Sequence, residues 1–242
     1  MNSPTSLLDH LIELRKTLLR SVLVVLTIFL ALAYFARDLY HFFATPLMAV
    51  LPANTSMIAT DVAAPFFAPF KLTFVIAIAL SIPFLLHQLW RFVAPGLYQH
   101  ERRLIAPLLI SSSVLFYAGI AFAFYIVLPL AFGFFTAMAP EGITIATDIS
   151  SYLNFVLAIF IAFGIAFEIP VAIILLCWTG AVTPAQLREK RPYVIVAVFV
   201  IGMLLTPPDV ISQTLLAIPM WLLYEVGIML GGVYTRSRDV KK

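Results

Sequence analysis

The chain has a single cysteine, little charge and no recognisable machinery for group transfer. Cys177 stands alone, which excludes an intrachain disulfide and argues against redox chemistry. His10, His41, His87 and His100 lack metal-ligand spacing, and no His-Glu-x-x-His occurs. Also missing are a Gly-x-x-x-x-Gly-Lys phosphate loop and a Gly-x-Ser-x-Gly nucleophile turn. Ser111, Ser112 and Ser113 sit in an apolar run, where hydroxyls usually bond back to helix carbonyls. These absences argue against an enzyme, and they leave no cofactor, metal or nucleic acid to expect.

Charge is the other scarcity. Only 11% of the residues are charged while 62% are hydrophobic, against about 25% and 45–50% in ordinary globular chains. A soluble fold of 242 residues has too little interior to hide that apolar surface. Lipid must be its solvent, so the chain reads as an integral membrane protein. A spanning helix needs about 20 apolar residues with every backbone group bonded internally. Six runs meet or approach that template: Leu18–Phe35, Thr73–Trp90, Pro107–Phe135, Tyr152–Thr179, Tyr193–Leu205 and Val210–Leu230. None alternates with period two, so the expected class is all-α, in one polytopic membrane domain over residues 1–242. The third and fourth runs exceed the bilayer and should tilt or bend, with Pro129 and Pro170 as kink sites. The fifth is too short to reach across, and the fifth and sixth together are expected to thin the bilayer.

Thirteen of the fifteen Lys and Arg residues fall on one side of these runs; Arg37 and Lys71 fall on the other. The rule that basic loops stay inside puts both termini in the cytoplasm. The first twenty residues are amphipathic and of mixed charge, which does not read as a cleavable signal. On the opposite side, the proline-rich connection Arg37–Pro69 is expected to pack as a cap, and Thr206-Pro-Pro-Asp209 to join the last two helices tightly.

Few polar groups remain as candidates. Ser6 with Asp9 fits a helix cap, followed by Leu7, Leu11, Leu14 and Leu18 at helical spacing. On the other face Glu13 can simply pair with Lys16, as Glu101 can balance Arg102 and Arg103. Gly227-x-x-x-Gly231 is a weak helix-packing signal. Met203, Thr206 and Gln213 gather about the short-helix turn, where hydrogen bonding within the protein would also explain them. Glu168, directly before Ile169-Pro170 in an apolar run, has two readings. It is either a polar group that re-bonds the backbone opened by Pro170, or a functional spot admitting water to the interior. A small-solute transporter built around Glu168 would need paired discontinuous helices and internal symmetry, and neither is visible.

Four segments together carry a resemblance: His10-Leu-Ile-Glu-Leu-Arg15, Tyr98-Gln-His-Glu-Arg-Arg103, Phe167-Glu-Ile-Pro170 and Leu204-Leu-Thr-Pro-Pro-Asp209. Met57-Ile-Ala-Thr-Asp-Val62, Lys190-Arg-Pro-Tyr193 and Ser212-Gln-Thr-Leu-Leu216 extend it from about Ser6 to Gly231. In this order they resemble the TatC family, the signal-recognising core of the twin-arginine protein translocase. The resemblance implies six helices in a concave, glove-like shape with both termini cytoplasmic. It implies binding of twin-arginine signal peptides on folded cargo, and energy from the proton-motive force across the cytoplasmic (inner) membrane. The implied partners are TatA and TatB, with assembly into TatB–TatC oligomers. It carries signal recognition onto Glu13 and Glu101, with Arg15 and Phe92 beside them, and partner docking onto Met203, Thr206 and Gln213. Pro46 and Asp209 match further sensitive positions.

Overall fold

The computed structural model of the chain describes residues 4–48, 57–93, 105–138, 146–206 and 210–239. Every regular element among them is helical: α1 (Pro4–Ala33), α2 (Ala36–Met48), α3 (Ala64–Val93), α4 (Ile105–Phe122), a π-helical stretch (Ala123–Val127), α5 (Leu128–Ala137), α6 (Ile149–Ala166), α7 (Ile169–Trp178), α8 (Pro184–Glu189), α9 (Arg191–Leu205) and α10 (Val210–Asp239). Five stretches are long and apolar enough to cross a membrane: Leu11–Ala33, Ala64–Gln88, Pro107–Ala137, Ile149–Trp178 and Gln213–Val233; Arg191–Leu205 is a shorter apolar helix. The chain is an all-α membrane protein with six apolar helical passes. It divides into two compact units, Met1–Phe43 with Asp61–Ser113, and Ala44–Thr60 with Val114–Lys242.

In the first unit α1 packs against α3. The half-buried positions of α1, Thr17, Ser21, Val24, Val25, Ile28 and Phe29, recur at three- and four-residue spacing. Phe29 meets Phe74 edge to face at 5.7 Å. Hydroxyls inside these helices bond to their own backbone: Ser21 to the Thr17 carbonyl, Thr73 to Pro69 and Ser81 to Ala77, which satisfies these three donors in an apolar medium. The N-terminal segment differs from expectation. Ser6 lies inside α1, one continuous 30-residue helix, so it caps nothing and the amphipathic stretch runs straight into the first span.

In the second unit both long runs are interrupted at their prolines. Pro129 lacks the N–H that would bond four residues back, and the wide π-helical turn lies immediately before it. Pro170 follows a turn at Phe167 and Glu168, where the Glu168 N–H donates to Ile165 O and its carbonyl accepts from Ala172. Between the two runs lies an aromatic seam: Phe122 on Phe163 (5.5 Å), Phe132 on Tyr152 (5.4 Å) and Phe132 on Phe155 (5.7 Å). The helices meet at backbone contact, because a Cβ on Gly119 would sit 2.5 Å from the Phe163 carbonyl oxygen. Gly227 and Gly231 do form a packing face. Cβ atoms there would lie 3.1 Å from Pro170 Cα and 3.0 Å from Cys177 Sγ, so α10 runs alongside α7 over a core of Ile173, Cys177, Tyr224 and Ile228. Because α10 spans 30 residues, only the fifth pass is short, which corrects the expectation of two short helices.

Candidate functional site

Glu13 and Arg15 both lie in the early turns of α1 with exposed side chains, and two residues apart they project from different faces of the helix. Phe92 falls in the last turn of α3; its side chain, like all of Glu101, lies outside the described residues. Phe29 of α1 meets Phe74 of α3 at 5.7 Å, and α3 continues beyond that contact to Val93. There Gln88 is buried, 6% exposed, with its Oε1 lacking a hydrogen-bond partner.

The proposed docking residues share the hairpin of α9 and α10. Met203 is half exposed to the surroundings, Thr206 is buried, and Gln213 is half-buried. Thr206 ends α9, its hydroxyl and N–H both donating to the Gly202 carbonyl at 2.9 Å. Gly202 in turn faces the backbone of Gln213, where a Cβ would lie 3.4 Å from its carbonyl oxygen. The hairpin therefore gathers all three at one end. Asp209 lies outside the described residues, and Pro46 lies within α2 with its side chain likewise undescribed. Glu168, half-buried at the α6–α7 turn, is bonded through its backbone as above.

Away from these residues, Asp148 holds two connections together. Its Oδ2 accepts from the Ser151 N–H (2.9 Å), capping α6, while Oδ1 accepts from the Thr60 N–H (3.1 Å) and hydroxyl (2.8 Å). Ile58 adds backbone bonds to Thr147 and Ile149. The Ser151 N–H first, then the Thr60 N–H and hydroxyl, hold the Asp148 carboxyl well below the usual range.

Residues 9–219 match the family model "Sec-independent protein translocase protein (TatC)". The chain belongs to the TatC family. The Haemophilus influenzae Sec-independent protein translocase protein TatC is 62% identical over 96% of this chain and 91% of its own length. The Escherichia coli K12 protein of the same name is 60% identical over 96% and 92%. A solved structure described as the twin arginine translocase receptor TatC superposes with a TM-score of 0.84 at 39% identity, covering 94% of this chain and all of that one. TatC proteins are translocase components, not a catalytic family.

Within this TatC-family fold, sequence reasoning overlooked Glu225. Its Oε2 accepts from Arg191 Nη2 at 2.5 Å, while the neighbouring Tyr224 hydroxyl donates to the Leu187 carbonyl at 2.7 Å. The signal was available, since an acid inside an apolar run is the same anomaly that singles out Glu168. Gln88 gives a weaker signal of the same kind.

Proposed function

We propose that this chain is the core subunit of a twin-arginine translocase. It binds twin-arginine signal peptides of folded proteins and nucleates the export complex in the cytoplasmic (inner) membrane. Its termini face the cytoplasm, TatB and TatA dock on it in TatB–TatC oligomers, and the proton-motive force drives transport. The observation that carries this reading is the family match over residues 9–219 together with a 62% identical TatC relative.

Glu13 and Glu101 take the arginine pair, with Arg15 and Phe92 shaping the pocket. An exposed ion pair contributes only about 0.2–1 kcal/mol, too little to separate this signal from other basic export signals. Selectivity demands planar, bidentate guanidinium–carboxylate contacts in a partly desolvated pocket, which lysine does not reproduce. Met203, Thr206 and Gln213 form the docking edge for the single-span partners. Pro46 and Asp209 are further positions at which substitution impairs function, and Glu168 supplies a polar spot within the membrane. The test is photocrosslinking of a twin-arginine signal peptide to probes beside Glu13 and Glu101. Adducts are expected with the wild-type signal and should vanish when both arginines are lysine, or when Glu13 and Glu101 are both alanine in a chain of unchanged thermal stability. Full adduct formation by the double alanine variant would refute the assignment.

A further inference from the structure

The hairpin of α9 and α10 keeps one antiparallel register from end to end. Gly202 faces Gln213 at one end. In the middle a 240 Å³ apolar cavity is lined by Ile195, Val198 and Phe199 from α9 and by Ala217, Ile218 and Trp221 from α10. At the other end Arg191 reaches Glu225. The Gly202 end is flush, since α9 finishes at Leu205 and α10 starts at Val210. All the shortness of α9 therefore falls at Arg191. Beyond that level α10 continues alongside α7, with Gly231 against Cys177. Glu225 to Gly231 is about 9 Å of helix at 1.5 Å per residue.

To start α9 so far down, the chain must turn back after α7. It does so at Gly180, whose φ of +77° is open to glycine at little cost. It then descends through α8, whose start is fixed by a Thr183–Gln186 capping box. Two side chains of α10 hold this descent: Tyr224 bonds the Leu187 carbonyl, and Glu225 pairs with Arg191.

We infer that Arg191 and Glu225 are positioning residues, a depth stop that fixes how far α9 sits in the membrane and hence where the edge carrying Met203 and Thr206 is presented. The pair is poorly designed for stability alone. Glu225 is largely shielded while Arg191 is half open, and Glu225 Oε1 and Arg191 Nε are both buried with no hydrogen-bond partner. A pair with one partner half open contributes little to stability, and the best-attested use of shielded pairs is to specify register. Packing against Gln213 holds the Gly202 end of this fifteen-residue apolar helix, and the Arg191–Glu225 pair holds the other. Without the stop, hydrophobic mismatch would favour tilting and shifting the Arg191 end against α10, where the facing residues Ala217 and Ile218 carry no polar group to hold it.

The experiment compares wild type, Arg191→Leu/Glu225→Leu and the exchanged pair Arg191→Glu/Glu225→Arg, each in the full complex in membranes. Nitroxide labels at the exposed positions Val196, Val200 and Leu204 report depth from oxygen against nickel-chelate accessibility. The apolar pair should keep its thermal midpoint, yet shift or broaden the depth profile by about one helical turn, ~5 Å. Signal-peptide crosslinking should persist while transport falls at least tenfold; the exchanged pair should restore both profile and transport. An unchanged depth profile in the folded apolar pair overturns the inference, as does a folded exchanged pair that keeps the shifted profile. Should the apolar pair fail to fold, Arg191→Met, which keeps the length of the side chain and removes its charge, must give a shift of the same sign, and no shift in that folded variant refutes the stop. The transport arm rests on the translocase reading, whereas the depth arm does not, so the two can fail separately.

Discussion

Gly119 and Gly133 look alike in the sequence, each a glycine in an apolar run, yet they answer differently to a methyl group. At Gly119 the added carbon would stand 2.5 Å from a backbone oxygen that cannot rotate away, while nothing lies within 4 Å at Gly133. Gly119→Ala should lower stability by about 1–3 kcal/mol, as overpacking does, and Gly133→Ala should be neutral or slightly stabilising. Thermal unfolding in detergent checks both, and equal midpoints would contradict the α4–α6 contact. Asp148 makes a pH prediction. Its folded pKa is lowered by the hydrogen bonds of Ser151 and Thr60, so its contribution is complete above the ordinary carboxylate value near 4 and is lost as pH falls through the lowered folded value. The difference in midpoint between wild type and Asp148→Ala should stay level from pH 8 to 5 and shrink only in stronger acid. A decline between pH 8 and 5 would mean that another group controls the clasp. Neither feature was legible beforehand, because both depend on which residues the fold brings together from distant parts of the chain. Glu225 is the contrary case, since its apolar setting was visible and only its partner was not.

Among the helices, hydropathy located all six passes, and Pro129 and Pro170 correctly marked where the long ones break. What escaped was the continuity of α1 through Ser6 and the extent of α10, because polar residues at the ends of a span join a helix as readily as a loop when they can reach water. The fifth pass was legible as short, at fifteen residues rather than thirteen, or about 22 Å at 1.5 Å per residue against a hydrocarbon core near 30 Å. A helix that short leaves lipid to bend, water to enter or another helix to cover it. Exposed Val196, Val200 and Leu204 recur every fourth residue on one face of α9. Cysteines at these positions should crosslink to a single-span partner, whereas one at buried Val198 should not. Equal adducts at all four positions, or none at any, would remove α9 as the docking edge.

The same short helix decides the topology of the entire chain. Five long spans alone would put the two termini on opposite sides of the membrane, and α9 restores an even number only if it crosses. Two features require that it does. Its register with α10 holds from Gly202 at one end to Arg191 at the other, which a helix lying on the surface could not maintain. The charges agree: with six crossings Arg236, Arg238, Lys241 and Lys242 join Arg15, Lys16 and Arg20 on one side, giving the thirteen-to-two distribution, whereas five would strand that basic tail outside. Reporter fusions separate the cases, using an enzyme active only outside and a fluorophore that matures only inside. Fusions after Lys190 and Lys242 should read inside, and those after Met138 and Thr206 outside. If the fusion after Thr206 reads inside and the one after Lys242 outside, α9 does not cross. The basic bias would then have pointed the wrong way at the end of the chain that holds Arg236, Arg238, Lys241 and Lys242.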